Sequence, residues 1–96
     1  MNSEPAQSVV VFPLHEAAPE YQPLSFHVKQ ALDRYFAALE GHPPGGLYEL
    51  VLNEIERPLL EEVMRRTRGN VSKAALQLGL NRATLRKKLE KHGIPS

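Results

Sequence analysis

The sequence predicts an all-α protein of four helices, and three observations carry that prediction. Apolar residues recur every three or four positions through residues 24–39 and again through residues 47–63, the spacing of a helical stripe. A cluster of breakers, Gly41, Pro43, Pro44, Gly45 and Gly46, lies between the two runs and is too dense for a helix to cross. The last quarter, residues 70–93, holds two short helical patterns, each opened by an asparagine and closed by a glycine.

Residues 1–22 contain Pro5, Pro13 and Pro19 and read as a flexible arm or tail. Val9, Val10, Val11 and Phe12 favour strand, so a short hairpin arm is the alternative, with the prolines at edges or in the turn. The first helix follows over residues 25–39, with Ser25 as its cap. Leu24, Val28, Ala31, Leu32, Phe36 and Leu39 form its apolar stripe, and it ends by Glu40.

The second helix spans residues 47–67. Leu47, Leu50, Val51, Ile55, Leu59 and Val63 form one face, and Tyr48, Leu52, Leu60 and Met64 widen it beyond a single stripe. A helix apolar over so wide an arc must be covered from more than one side. One chain of this length supplies too little cover, so the predicted dimer core, Leu50, Val51, Leu52, Ile55, Leu59, Leu60 and Val63, meets a second copy of itself. Pro58 removes one backbone hydrogen bond and crowds the carbonyl of Glu54, which predicts a kink.

The last two helices read as a helix-turn-helix. Asn70 caps the first, whose Ala74, Ala75 and Leu78 share a face, and Gly79 permits the positive φ of a tight turn. Asn81 caps the second, Leu85 and Leu89 lie one turn apart on its inner face, and Gly93 stops it with Pro95 close behind. The usual motif has one more apolar position late in the second helix. Here that slot holds Lys88, and Leu89 is expected to supply the contact. Arg82, Arg86, Lys87, Lys88 and Lys91 are expected to lie off the Leu85/Leu89 face, where Glu90 is the only acid.

Charge is divided unevenly along the chain. Residues 1–63 carry three basic and ten acidic side chains, whereas residues 64–96 carry nine basic and one acidic, so a total of +1 joins a half at −7 to a half at +8. Such separation is the electrostatic footprint of a polyanion partner, read here as duplex DNA.

The 96 residues make one domain, divided into an arm or tail over residues 1–22, dimerisation helices over residues 23–67 and the helix-turn-helix over residues 68–96. A chain this short buries a modest fraction of its surface. There is no cysteine, which rules out disulfides and thiolate metal sites and leaves oligomerisation as the source of added stability. No apolar run approaches the roughly 20 residues of a membrane span, and the N-terminus lacks the basic start of a signal peptide. A cytoplasmic protein without membrane contact is the expectation.

Catalysis and cofactor binding find no support. His15, His27, His42 and His92 lack the three- or four-residue spacing that metal ligation favours and read as surface or packing residues. Glu61 and Glu62 point in different directions on a helix, and no serine or threonine has a nearby histidine as its base. No glycine-rich phosphate loop is present.

With PLSFHVKQAL, LYELVLNEIERPLL, TRGN and KAALQLGLNRATLRKKL in view, the chain resembles the bacterial Fis family, the factors for inversion stimulation. The resemblance covers residues 23–94 and is most specific through LRKKL. It implies four helices per subunit, the first two intertwined in a homodimer and the last two forming the helix-turn-helix. It also implies a nucleoid-associated protein that bends DNA at degenerate sites, regulates transcription as an activator and assists site-specific recombination, with a recombinase or RNA polymerase as further partners. The recognition helices of such a dimer lie closer together than one turn of straight B-DNA, so the duplex must bend to meet both.

Carried onto this chain, the resemblance implies that Asn81, Arg82 and Lys87 approach base edges. Asn70, Ser72, Thr84, Arg86, Lys88 and Lys91 then hold phosphates, with Lys73 in the same DNA-binding set. Val71, Ser72, Lys73 and Ala83 differ from the family's best-known members. Ser72 for threonine and Lys73 for arginine keep the chemistry, Val71 for glutamine loses a polar contact, and Ala83 for glycine favours the helix. The family's N-terminal hairpins contact DNA invertases, whereas residues 9–22 are proline-rich here.

Two other readings fit the same residues. One is the DNA-binding domain of an enhancer-binding transcription activator, which shares this helix-turn-helix type; the residues 47–60 helix and the start at Met1 favour the separate protein. The other is a helical interaction module whose basic end meets an acidic protein, with no nucleic acid involved.

Overall fold

A computed structural model describes residues 22–96. The arm or tail expected over residues 1–22 therefore lies, but for Gln22, outside the described residues. The chain divides into two compact units, one ending at Gly45 and the other beginning at Gly46.

The first unit contributes α1, Leu24–Leu39. Ser25 is not its cap. Pro23, with φ −67° and ψ 161°, stands at the cap position, no side chain closes the first turn, and Ser25 falls inside it. The ring of Pro23 already fixes φ near the value a helix entry needs, and its carbonyl accepts from Phe26 N at 3.0 Å. The helix ends at Glu40, which adopts a left-handed conformation at φ 52° and donates its N–H to Ala37 O. No residue of α1 is fully buried: Leu24, Phe26 and Phe36 are all exposed. Val28, Leu32 and Leu39 of its apolar stripe are half-buried.

The second unit holds α2, Leu47–Arg66, α3, Val71–Leu78, and α4, Arg82–His92. Helix α2 runs without a break through Pro58. Its C-terminus is closed by Thr67, whose hydroxyl donates to Val63 O at 2.9 Å and whose N–H donates to the same carbonyl at 3.0 Å. Arg68 and Gly69 then take positive φ, at 55° and 79°, and Gly69 N reaches back to Met64 O at 2.9 Å.

Helices α3 and α4 begin and end as their residues predict. Asn70 Oδ1 accepts from Lys73 N at 3.0 Å and Asn81 Oδ1 from Thr84 N at 2.8 Å. Gly79 turns the chain at φ 74°, and Gly93 stops α4 at φ 67°. The core is Leu60 and Met64 of α2, Ala74 and Ala75 of α3, and Leu85 and Leu89 of α4, with Val63, Val71, Leu78, Leu80 and Ile94 packed against it. Leu60, Leu85 and Leu89 are sealed, and a leucine buried so completely contributes about 1.5 to 3 kcal/mol. Alanines at 74 and 75 keep α3 thin enough for the two longer helices to close over it.

This core corrects one expectation. By its apolar pattern Leu60 belongs to the expected dimer face, but it is 1% exposed beneath the helix-turn-helix, with Val63 packed against the same core. The wide arc of α2 is shared: the Leu60/Met64 side covers α3 and α4, while Leu50, Leu52 and Leu59 remain 42%, 44% and 47% exposed.

Candidate nucleic-acid interface

Locking Leu85 and Leu89 into the core turns the opposite face of α4 outward. Lys87 is exposed on that face, Arg86 is exposed on the flank and Arg82 is exposed in the first turn, with Asn81 at the head of the helix, and Asn70, Ser72 and Lys73 are exposed at the head of α3. Thr84 is half-buried. Arg82 Nη1 donates to Ser72 Oγ at 3.4 Å, so the two helix starts meet at one corner. Both starts present backbone N–H groups and the positive end of a helix dipole, which adds to the arginine and lysine charge. Asn70 and Asn81 spend their side-chain oxygens on capping, leaving the amide nitrogen as the group each can offer outward.

The C-terminal half of α4 is arranged differently. Lys88 does not stand off the inner face: its side chain is 34% exposed, and Nζ donates to Glu56 Oε2 of α2 at 2.8 Å. The reason is helical phase. Leu85, Lys88, Leu89 and His92 follow one another at i, i+3, i+4 and i+7, so Lys88 fills the motif's late apolar slot with its methylene stem and delivers its charge to Glu56. His92, buried, brings Nε2 to 2.9 Å from Glu56 Oε1. Arg57 Nη2 donates to His92 O at 2.6 Å, satisfying a carbonyl that the end of α4 leaves open. Lys91 remains exposed, with Glu49 Oε1 at 3.7 Å.

The sequence pattern alone does not bring Glu56 and Arg57 into this region, and it gives His92 only as a packing or surface residue. The i+7 step from Leu85 is the sequence signal that places His92 inward. Glu56 is held below the usual carboxylate range, first by its hydrogen bond from Lys88 and then by that from His92. Near the end of α2, half-buried Glu62 binds Arg65 and Arg66, and those bonds, Arg65 first, hold it down to about 2. Among the described residues, no group of histidine, aspartate or glutamate could hold a metal ion, and no helix is long and apolar enough to cross a membrane.

Comparison with known proteins places these elements in context. Residues 51–92 match the family described as bacterial regulatory protein, Fis family, and residues 1–44 match the N-terminal domain of DNA-binding protein Fis. The DNA-binding protein Fis of Actinobacillus succinogenes is 52% identical over 91 residues, covering 94% of this chain and 92% of that one. That of Pectobacterium carotovorum is 56% identical over 79 residues, 82% of this chain and 81% of the relative. That of Escherichia coli O1:K1 / APEC is 59% identical over 73 residues, 76% of this chain and 74% of the relative.

Proposed function

The chain belongs to the Fis family of bacterial regulatory proteins, and from that premise we propose that it is a homodimeric DNA-binding regulator that seats α4 in the major groove. The observation that carries this reading is the exposed set Arg82, Arg86 and Lys87 on a helix whose Leu85 and Leu89 are sealed into the core, in the C-terminal third of the chain, which holds nine of its twelve basic residues. The role is regulatory, not enzymatic.

In this reading Arg82, Lys87 and the amide of Asn81 approach base edges, and Asn70, Ser72, Lys73, Thr84 and Arg86 hold phosphates. Lys91 lies at the end of the same helix, and its long, exposed contact with Glu49 leaves it able to reach a phosphate. Lys88 acts through the fold, since Glu56 already holds its charge. A second copy covers α1 and the Leu52/Leu59 side of α2; Tyr48, 77% exposed, shares that side by helical phase and extends its apolar surface. Two α4 helices on one dimer then engage successive major grooves, and the duplex bends to meet them.

A nucleoid location, transcription activation and service as a recombination accessory complete the proposal. The match of residues 1–44 to the Fis N-terminal domain favours it over an activator's DNA-binding domain. Footprinting on a selected duplex tests it. Protection of two major-groove segments, related by two-fold symmetry and with bent DNA between them, supports the reading; a single protected segment opposes it.

A further inference from the structure

We propose that Glu56 is a positioning residue for the recognition helix: by gripping the C-terminal half of α4 it sets the angle at which Arg82 and Lys87 are presented. The proposal rests on the DNA-binding reading above. Leu85 and Leu89 bury α4 against the core, but apolar contacts lack direction and tolerate small rotations of the helix about its axis. Hydrogen bonds do not. Three of them tie the last two turns of α4 to one turn of α2: Lys88 to Glu56 at 2.8 Å, His92 to Glu56 at 2.9 Å, and Arg57 to the His92 carbonyl at 2.6 Å. They join residues 32 to 36 positions apart in sequence.

The surroundings give these bonds weight. The side chains of Glu56 and His92 are 22% and 6% exposed, so water competes weakly for either. A recognition group has to sit within about 0.5 Å and 10 to 20° of its productive geometry. Arg82 is ten residues before His92 on the same rigid helix, so a rotation allowed at one end is transmitted to the other.

Electrostatics alone makes the opposite forecast, which gives the test its sign. Removing the Glu56 charge and releasing Lys88 adds positive character near the duplex and strengthens binding to any DNA. Positioning requires that binding to the preferred site weaken instead.

The full-length protein, Glu56→Gln, His92→Phe and His92→Gln are titrated with a duplex selected from a random pool by the unaltered protein, and with its scrambled version. The temperature is one at which circular dichroism shows each variant folded. We expect Glu56→Gln and His92→Phe to lose about five- to tenfold in affinity for the selected duplex, a partial loss of one bidentate base contact, with no loss on the scrambled one. His92→Gln, which keeps a donor for Glu56, stays near the unaltered protein. Equal or tighter binding of the selected duplex by both Glu56→Gln and His92→Phe overturns the proposal. Should Glu56→Gln not fold at any temperature, His92→Phe decides alone. If the unaltered protein selects no duplex from the pool, the DNA-binding reading itself fails and this proposal falls with it.

Discussion

Arg82 donates through Nη1 to Ser72 Oγ, 3.4 Å away, joining the first residue of α4 to the second residue of α3. The bond is long and the arginine is exposed, so it orients the guanidinium without consuming it. A planar fork held at the head of a recognition helix matches the O6 and N7 acceptors of guanine.

Arg82→Ala should therefore weaken binding to the preferred site by about 1 to 3 kcal/mol and flatten discrimination at one guanine in each half-site. Isotherms on the preferred site and on single-base variants at that guanine measure both effects. An equal loss on every duplex would instead make Arg82 a backbone contact.

The division of α2 between two surfaces predicts two kinds of mutant. Leu60→Ala opens a cavity under the helix-turn-helix and should cost about 2 to 5 kcal/mol in urea unfolding, with the two-chain mass kept by whatever remains folded. Leu52→Asp places a carboxylate on the exposed side proposed to meet the second copy, and sedimentation at micromolar concentration should then show loss of the two-chain species. A folded Leu52→Asp dimer would remove that surface from the interface.

Acid should loosen the attachment of α4. The Glu56 carboxyl is lowered from its ordinary value of 4.5 in the folded chain, so its contribution to stability is present above pH 4.5 and is lost as pH falls through the folded value. Glu56→Gln lacks this dependence. Its unfolding free energy should fall less steeply than that of the unaltered protein on the acid side of pH 4.5, and parallel acid limbs would show that the carboxylate is not stabilising.

Most of the second unit is legible in the sequence because its signals are local. Asn70, Gly79, Asn81 and Gly93 act on their own turns, and each sits in the structure where its chemistry requires. What was not legible depends on elements far apart. The apolar arc of α2 announces that several surfaces need cover, but not that Leu60 faces α3 and α4 while Leu52 does not. The Lys88 charge looks outward until Glu56, 32 residues earlier, is known to stand opposite it. Pro23 rather than Ser25 opens α1 because a fixed φ competes successfully with a side-chain cap, a contest that residue type alone leaves open.

Residues 1–22 should be dispensable for the duplex contact, which is proposed to lie in the second unit. Their removal is expected to leave DNA affinity nearly unchanged. Titration of the shortened protein checks this, and a tenfold weaker isotherm would place part of the DNA contact in the arm. Stimulation of an invertase, compared between full-length and shortened protein, reports separately whether the segment serves as an activating arm.

In the proposed function the basic C-terminal third of the chain grips duplex DNA through α4 and the head of α3. The most direct test is duplex affinity measured across a series of salt concentrations, for the unaltered protein and for Arg86→Ala. The logarithm of affinity should fall linearly with the logarithm of salt, and Arg86→Ala should weaken all sequences about equally while lowering the slope by about one unit per chain. Affinity that is absent, or that salt leaves unchanged, would mean that these basic side chains do not bind the phosphate backbone.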